Sequence, residues 1–390
     1  LIDLGKLKEA ELSVRKAIEI KPDFADAHLN LGNILIDLGK LREAELITRK
    51  AIEINPNFTE AYSNLGSILN DLGKLKEAEL FTRKAIELNP NSAVAYYSLG
   101  RVLRNLGKLK KAELFTRKAI EYKSDYAEAY FHLSQIQLVQ GNYESGLENY
   151  EFRFKRKKPI IPHGKTKIKK ITNEKLQKGD KLLVIGEQAP GDVIFHMRYL
   201  LPLKQQGIEL SFCAPEKLHK LIKDSGIHPN PLSPEQCSLV KEGKWIPLMS
   251  LLKYFSVSPT NPVINTPYIS STEILKEKWR KVLSKEKKPI IGINWQGNPN
   301  AEKQGLKGRS LPLETFSTIA RNNNYSFLSL QKGFGSEQLE QCSFKNMFVQ
   351  CQQQIDSTWD FLQNAAIIEN CDLIITSDTS IAHLAGGMGK

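Results

Sequence analysis

The residues best suited to chemistry lie in four short stretches of the C-terminal half. In the first, Gly186-Glu187-Gln188-Ala189-Pro190-Gly191-Asp192 leads from an apolar run into a helical one. Gly191 permits tight backbone approach, and a helix start favours an anion or a carboxylate; a plain N-cap is the competing role for Asp192. The second is Trp295-Gln296-Gly297-Asn298-Pro299, where Gly297 and Asn298 allow either close approach to a ligand or a simple turn. The third, Gly308-Arg309-Ser310-Leu311-Pro312, sets a guanidinium before a helix start, an arrangement suited to holding phosphate. The fourth is Thr376-Ser377-Asp378-Thr379-Ser380-Ile381-Ala382-His383. Thr379 and Ser380 can offer hydroxyls and backbone N–H groups to a phosphate. His383 lies one helical turn beyond Thr379, so both can face one ligand, unless His383 is a core residue. Neither GxGxxG nor GxxxxGK[ST] occurs, so dinucleotide and P-loop readings lose their usual support.

Positioning these stretches requires strands followed by helices, and the chain shows that rhythm from about Lys181. Residues 182–186 and 209–213 read as buried strands, followed by helices over 192–205 and 215–224. A Pro-rich stretch runs over 229–267, a helix over 273–283, and Lys285-Glu286-Lys287-Lys288-Pro289 makes a hinge. A second series follows: strands over 290–295, 326–330, 347–350 and 372–376, with helices over 312–322 and 358–370. Such alternation predicts two doubly wound α/β lobes, with ligands at the carboxyl ends of the strands.

The first part of the chain is built differently. Leu-Gly-Lys-Leu begins at Leu4, Leu38, Leu72 and Leu106, and Lys-Ala-Ile-Glu at Lys16, Lys50, Lys84 and Lys118, both with a 34-residue period. A fixed period marks stacked units, none of which buries its apolar face alone. Each unit reads as a helical hairpin, broken at a glycine such as Gly73 and stopped at a proline such as Pro90. These residues resemble the tetratricopeptide repeat (TPR) family. Its pattern of aromatic, Leu-Gly, Ala, Ala and Pro stands as Tyr62, Leu65, Gly66, Ala78, Ala85 and Pro90. The preceding unit has His28, Leu31, Gly32, Ala44, Ala51 and Pro56; the following one has Tyr96, Leu99, Gly100, Ala112 and Ala119, with Ser124 for proline. A fourth begins at Tyr130 and Leu133, then degenerates, with Gly146 and Arg153 where alanines belong. Residues before Ile20 match only the second helix of an earlier unit, so further repeats are expected upstream.

The four loops carry a second resemblance. Gly191-Asp192, Arg309-Ser310 and the stretch from Asp378 to Gly386 look like the heptosyltransferase-type glycosyltransferases (family 9, GT-B fold). Trp295-Gln296-Gly297-Asn298-Pro299 is similar to the version fused to TPR arrays in bacteria. The resemblance implies an α-solenoid followed by a two-lobed GT-B-like α/β domain. It also implies transfer of a sugar from a nucleotide-sugar donor of unknown base, with no metal. Asp192 would then be the general base that deprotonates the acceptor hydroxyl. Arg309, Thr379 and Ser380 would hold donor phosphate, Asp378 and His383 would orient the donor, and Gly191, Gln296, Gly297, Asn298 and Ser310 would line its site. Asn30 and Asn64 resemble the asparagine ladder of TPR-bearing O-GlcNAc transferases, which Ser98 and His132 interrupt, so a protein or peptide in the TPR groove is the expected partner. Ala189-Pro190 departs from the TPR-fused relatives; Pro190 stiffens the loop and removes a donor, which motivates the alternative of a non-catalytic scaffold. The second lobe lacks a further strand and helix before Lys390, and is expected to be incomplete.

Composition narrows the remaining classes. The chain of 390 residues carries a formal charge of +12, of which residues 151–170 supply +8. The expected domains are therefore repeats over 1–158, a basic linker over 159–178, and lobes over 179–285 and 286–390. The basic run over 151–170 has few aromatics (Phe152 and Phe154) and matches no nucleic-acid module, so no specific nucleic acid is expected; peripheral membrane association through the linker stays open. Five cysteines without a CxxC argue against a disulfide framework or structural zinc and for a reducing, cytoplasmic setting. No apolar run reaches 18 residues, which excludes a spanning helix.

Overall fold

The computed structural model describes residues 6–172, 174–264, 266–303, 308–321 and 324–390. The chain divides into two compact units, Leu1–Pro159 and Ile160–Lys390. Leu4 and Gly5, which open the first Leu-Gly-Lys-Leu motif, lie outside the described residues, as does Asn322 at the end of one expected helix.

In the first unit the described residues form nine α-helices: α1 (Leu7–Ile20), α2 (Ala25–Asp37), α3 (Leu41–Ile54), α4 (Thr59–Asp71), α5 (Leu75–Leu88), α6 (Ala93–Asn105), α7 (Leu109–Tyr122), α8 (Ala127–Val139) and α9 (Tyr143–Tyr150). Helices α2 to α9 pair as hairpins, and α1 packs against α2. The turn inside a hairpin needs a left-handed residue, which Gly73 supplies at φ +81 at no steric cost. Leu65, Leu69, Ala78 and Val102 share one buried cluster, so each hairpin completes its core on the next. Lys40–Glu11, Lys74–Glu45 and Lys108–Glu79 ion pairs at 3.0, 2.8 and 2.9 Å then tie successive hairpins at the surface. The fourth hairpin ends in a 3-10 turn, Glu151–Phe154, rather than a full helix. Arg153, at an alanine position, is fully buried there; its guanidinium lies 4.5 Å from the Tyr150 ring and 4.1 Å from that of Phe154, and 2.7 Å from Glu151. A flat cation stacked between aromatic rings fills a space where the other hairpins place a methyl group.

The second unit holds two parallel sheets. The first has strands β1 (Lys169–Lys170), β2 (Lys181–Ile185), β3 (Glu209–Cys213) and β4 (Lys244–Pro247) in the order β1-β4-β2-β3. The second has β5 (Ile290–Asn294), β6 (Ser326–Ser329) and β7 (Leu373–Thr376) in the order β6-β5-β7, with Ile291 opposite both Phe327 and Leu373. Helices α10 (Pro190–His196), α11 (Leu200–Gln205), α12 (His219–Asp224), α13 (Pro234–Cys237), α14 (Leu251–Tyr254) and α15 (Glu273–Leu283) go with the first series. The second series carries α16 (Pro299–Lys303), α17 (Ser317–Ala320), α18 (Gln352–Asp356), α19 (Phe361–Glu369) and α20 (Ser380–Met388). Val184, Ile194, Leu328, Ile381 and Leu384 belong to one buried cluster, so both sheets contribute to a continuous core.

Several local expectations are revised. The helix expected over 192–205 starts two residues earlier and breaks into α10, a 3-10 turn Met197–Tyr199 and α11. The strand expected over 347–350 is replaced by a 3-10 turn, Lys345–Met347, and one isolated bridge between Phe348 and Phe327. Residues 169–170, expected in a linker, form the edge strand of the first sheet, and Ile171 is buried in its core. Lysines along that edge discourage pairing with another chain.

Candidate functional site

The first, second and fourth loops leave the carboxyl ends of β2, β5 and β7, the third follows α16, and buried amides tie the second and fourth together. Asn294, the last residue of β5, donates from Nδ2 to Gln331 Oε1 at 2.9 Å and accepts at Oδ1 from the Thr379 hydroxyl at 2.9 Å; its carbonyl accepts from Ser377 N at 2.9 Å. Gln331 Oε1 also accepts from the backbone N–H groups of Trp295 (3.2 Å) and Gln296 (2.9 Å), while its Nε2 donates to the carbonyls of Gln296 (3.0 Å) and Phe334 (2.6 Å). A buried amide that meets this many partners holds a loop in one conformation, because losing one leaves several groups unpaired. Sequence reading passed over both amides; their one signal is a neutral polar residue at the end of an apolar run.

The second and third loops lie against each other. Gly297 N donates to Ser310 Oγ at 3.0 Å and Leu311 N to the Trp295 carbonyl at 2.8 Å. A methyl group added at Gly297 would lie 2.8 Å from Arg309 Nε, so glycine is what lets the guanidinium rest on this loop. Arg309 Nε is buried and has no partner among the described residues, and the same holds for Ser377 Oγ in the fourth loop. Two orphaned donors in these loops suit an acceptor-rich group such as a phosphate. Gln296 and Asn298 serve the fold: Gln296 Oε1 accepts from Gln338 Nε2 at 3.0 Å, and Asn298 Oδ1 accepts from Asn300 N at 2.9 Å.

The first and fourth loops also meet. Pro190 is the first residue of α10, a position where its missing N–H would have no helical partner anyway. Asp192 is thus the third residue and not the N-cap; its Oδ2 reaches back to accept from Ala189 N at 3.0 Å. Ala189 has no acceptor of its own, so only one arm of a capping box is present. A methyl group at Gly191 would sit 3.2 Å from Ser380 Cα and 3.1 Å from the His383 ring, which places the start of α10 against the start of α20. Phe195 meets the His383 ring edge-on at 5.2 Å between centroids. Burial pushes the Asp192 carboxyl above its usual range; the Ala189 N–H and His383 oppose that shift, while Asp378 and Glu187 reinforce it. Thr379 caps α20, accepting from Ile381 N at 3.3 Å, so its hydroxyl is committed on both sides.

Sequence reading also missed two charged groups. Glu187 is fully buried, and its Oε1 accepts from Met249 N at 3.1 Å. Lys332, just past β6, is brought down to about 8 by burial, against which Asp356 acts; its ammonium donates to the Ile355 carbonyl. A cavity of about 430 Å³ lies at the amino ends of β2 and β3, lined by Lys181, Glu209, Leu239 and Glu242, away from these loops. Among the described residues no group of three or more His, Cys, Asp or Glu is placed to hold a metal ion, and no helix is long and apolar enough to cross a membrane.

Comparison with known proteins bears on the repeats. Residues 1–69, 59–92 and 81–113 match models of the tetratricopeptide repeat. No curated protein matches the chain. Among solved structures it is similar to MamA (25% identity, 38% of this chain and 88% of that one, TM-score 0.33). Others are a thermophilic TPR protein in Thermus thermophilus (21% identity, 40% and 86%, TM-score 0.37) and YrrB, a TPR protein with an unusual peptide-binding site (26% identity, 39% and 78%, TM-score 0.31). The repeats within residues 1–113 are tetratricopeptide repeats.

Proposed function

We propose that the chain is a glycosyltransferase: its repeats hold a protein or glycan acceptor, and its α/β unit moves a sugar onto that acceptor from a nucleotide sugar. The observation that carries this reading is the half-buried Asp192 carboxylate beside His383 and Asp378, where loops from both parallel sheets meet. Breaking a sugar–phosphate bond builds negative charge on the diphosphate and positive charge at the anomeric carbon. The unpartnered Arg309 Nε and Ser377 Oγ suit the first, in the manner of fixed donors aimed at developing charge. A carboxyl raised by burial suits removal of the acceptor proton, since a base works best near the operating pH. Family resemblance in the four loops points the same way. The test is a thermal-shift panel of ADP-, GDP-, UDP- and dTDP-sugars on the full chain, followed by transfer assays with the one that binds. A chain that no nucleotide sugar stabilises and that transfers nothing is not this enzyme.

A second reading, a TPR interaction scaffold whose α/β unit has lost catalysis, is favoured by one feature. Gly191 packs on Ser380, and Thr379 spends its hydroxyl within the fold, so three residues assigned to the donor are engaged internally. Nucleotide-sugar binding without transfer would select it.

A further inference from the structure

The basic run after the last repeat does not trail into solvent. Arg156 lays its guanidinium 4.6 Å from the Phe131 ring of α8, and Lys157 N donates to Glu128 Oε1, also on α8, at 2.7 Å. Lys158 Nζ then reaches Asp37 Oδ1, at the end of α2, at 2.7 Å. Arg156 is also among the charges that act on the Tyr97 phenol of α6. Every one of these partners stands on the first helix of a hairpin, from the first complete repeat to the fourth. That is the face on which Asn33 and Asn64 meet at 2.7 Å and Ser67 and Ser98 at 3.1 Å, so the run lies along the row of first helices.

We infer that residues 155–158 are a tethered occupant of the repeat groove, and that the partner this groove accepts is a basic, arginine-bearing extended segment. The inference rests on the reading that the first-helix face is the one that holds a partner. Recognition would be threefold: an aromatic ring for the guanidinium, a carboxylate for a main-chain N–H, and a carboxylate for an ammonium. The groove's own cations are engaged elsewhere, Arg101 with Asp71 at 2.9 Å and Arg104 with Gln135, which leaves Asp37 and Glu128 to face the strap. The strap is displaceable, because the Lys158 side chain is 79% exposed and exposed ion pairs hold weakly. A tethered segment acts at an effective concentration of roughly 1 mM, so a free segment of about 0.1 mM intrinsic affinity is weakened about 10-fold.

The test uses the full chain and a labelled peptide with the sequence of residues 153–160. A released variant carries Lys155→Ser, Arg156→Ser, Lys157→Ser and Lys158→Ser; Lys158→Glu alone, at an exposed position, serves if that variant does not fold. The peptide is expected to bind the released form about 10-fold more tightly than the parent, and to lose that gain when Asp37→Asn and Glu128→Gln are added. Equal affinity for parent and released forms, absence of binding to the released form, or indifference to Asp37 and Glu128 each overturns the inference. If instead transfer to an acceptor requires the repeats while the peptide shows no difference, the strap is wrong and the acceptor reading stands.

Discussion

Asp192 and Lys332 are each held in surroundings that disfavour their charge, and each makes a prediction at the scale of one side chain. An asparagine at position 192 keeps an oxygen to accept the Ala189 N–H while it removes the half-buried charge. Asp192→Asn is therefore expected to melt no lower than the parent and to lose transfer by about 100-fold or more, the scale of a general base. Calorimetry and a transfer assay on the same preparation decide this; a melting point lowered by several degrees with transfer intact would make the carboxylate a helix cap and nothing else. Lys332 sits at about 8 in the fold against an ordinary 10.5. The unfolded chain therefore binds more protons between those values, and stability at this site rises with pH across that window. Below about pH 8 both forms are charged, and the burial penalty is complete. Lys332→Met should accordingly exceed the parent in urea stability at pH 7 by a margin that shrinks at pH 9 and above; a margin constant with pH would show that the ammonium is well solvated.

Among the elements, the hairpin contact at Gly66 is the most exacting. A methyl group there would fall 2.3 Å from Thr82 Cγ2, inside a core where both helices are already in contact. Gly66→Ala should destabilise the repeats by about 1–3 kcal/mol through overpacking. Adding Thr82→Ser removes the offending methyl while keeping the hydroxyl that donates to the Ala78 carbonyl at 2.8 Å, so most of the loss should return. A double mutant no better than Gly66→Ala in a urea melt would place the strain elsewhere. Such contacts recur at Gly32 and Gly100 against Thr48 and Thr116, and this recurrence made the repeats legible: every local rule was written several times over in the chain. The α/β unit writes its rules once. Strand β1 is two lysines whose partner, β4, lies far along the chain, so its lysine-rich sequence reads as a linker until the pairing is known. Asn294 and Gln331 look like ordinary loop-edge residues, because what makes them hubs is the company brought by other strands. The Asp192 and His383 neighbourhood was legible as two loops after two strands, but the Gly191–Ser380 packing that joins them was not.

At the scale of the whole molecule, the two units differ in how their cores are connected. Repeat clusters such as Leu65, Leu69, Ala78 and Val102 join neighbouring hairpins only, so their stability adds up along the array. The main α/β cluster runs from β2 through α10 to β6 and α20, and should melt as one. A donor that binds between the loops of that cluster stabilises it alone, by about 2.7 kcal/mol at a ligand concentration of about 100 times Kd. For a unit of this size that is roughly 5–11 °C. The sequence supplies its own reporter: Trp245, Trp279, Trp295 and Trp359 are the four tryptophans, and all lie after residue 160. Tryptophan fluorescence thus follows the α/β unit, while helical circular dichroism is weighted towards the repeats. With the nucleotide sugar that binds, the fluorescence transition should move up and the repeat transition should stay where it was. A shift of equal size in both would mean that the units unfold as one, and that the donor's binding energy is shared with the groove that holds the acceptor.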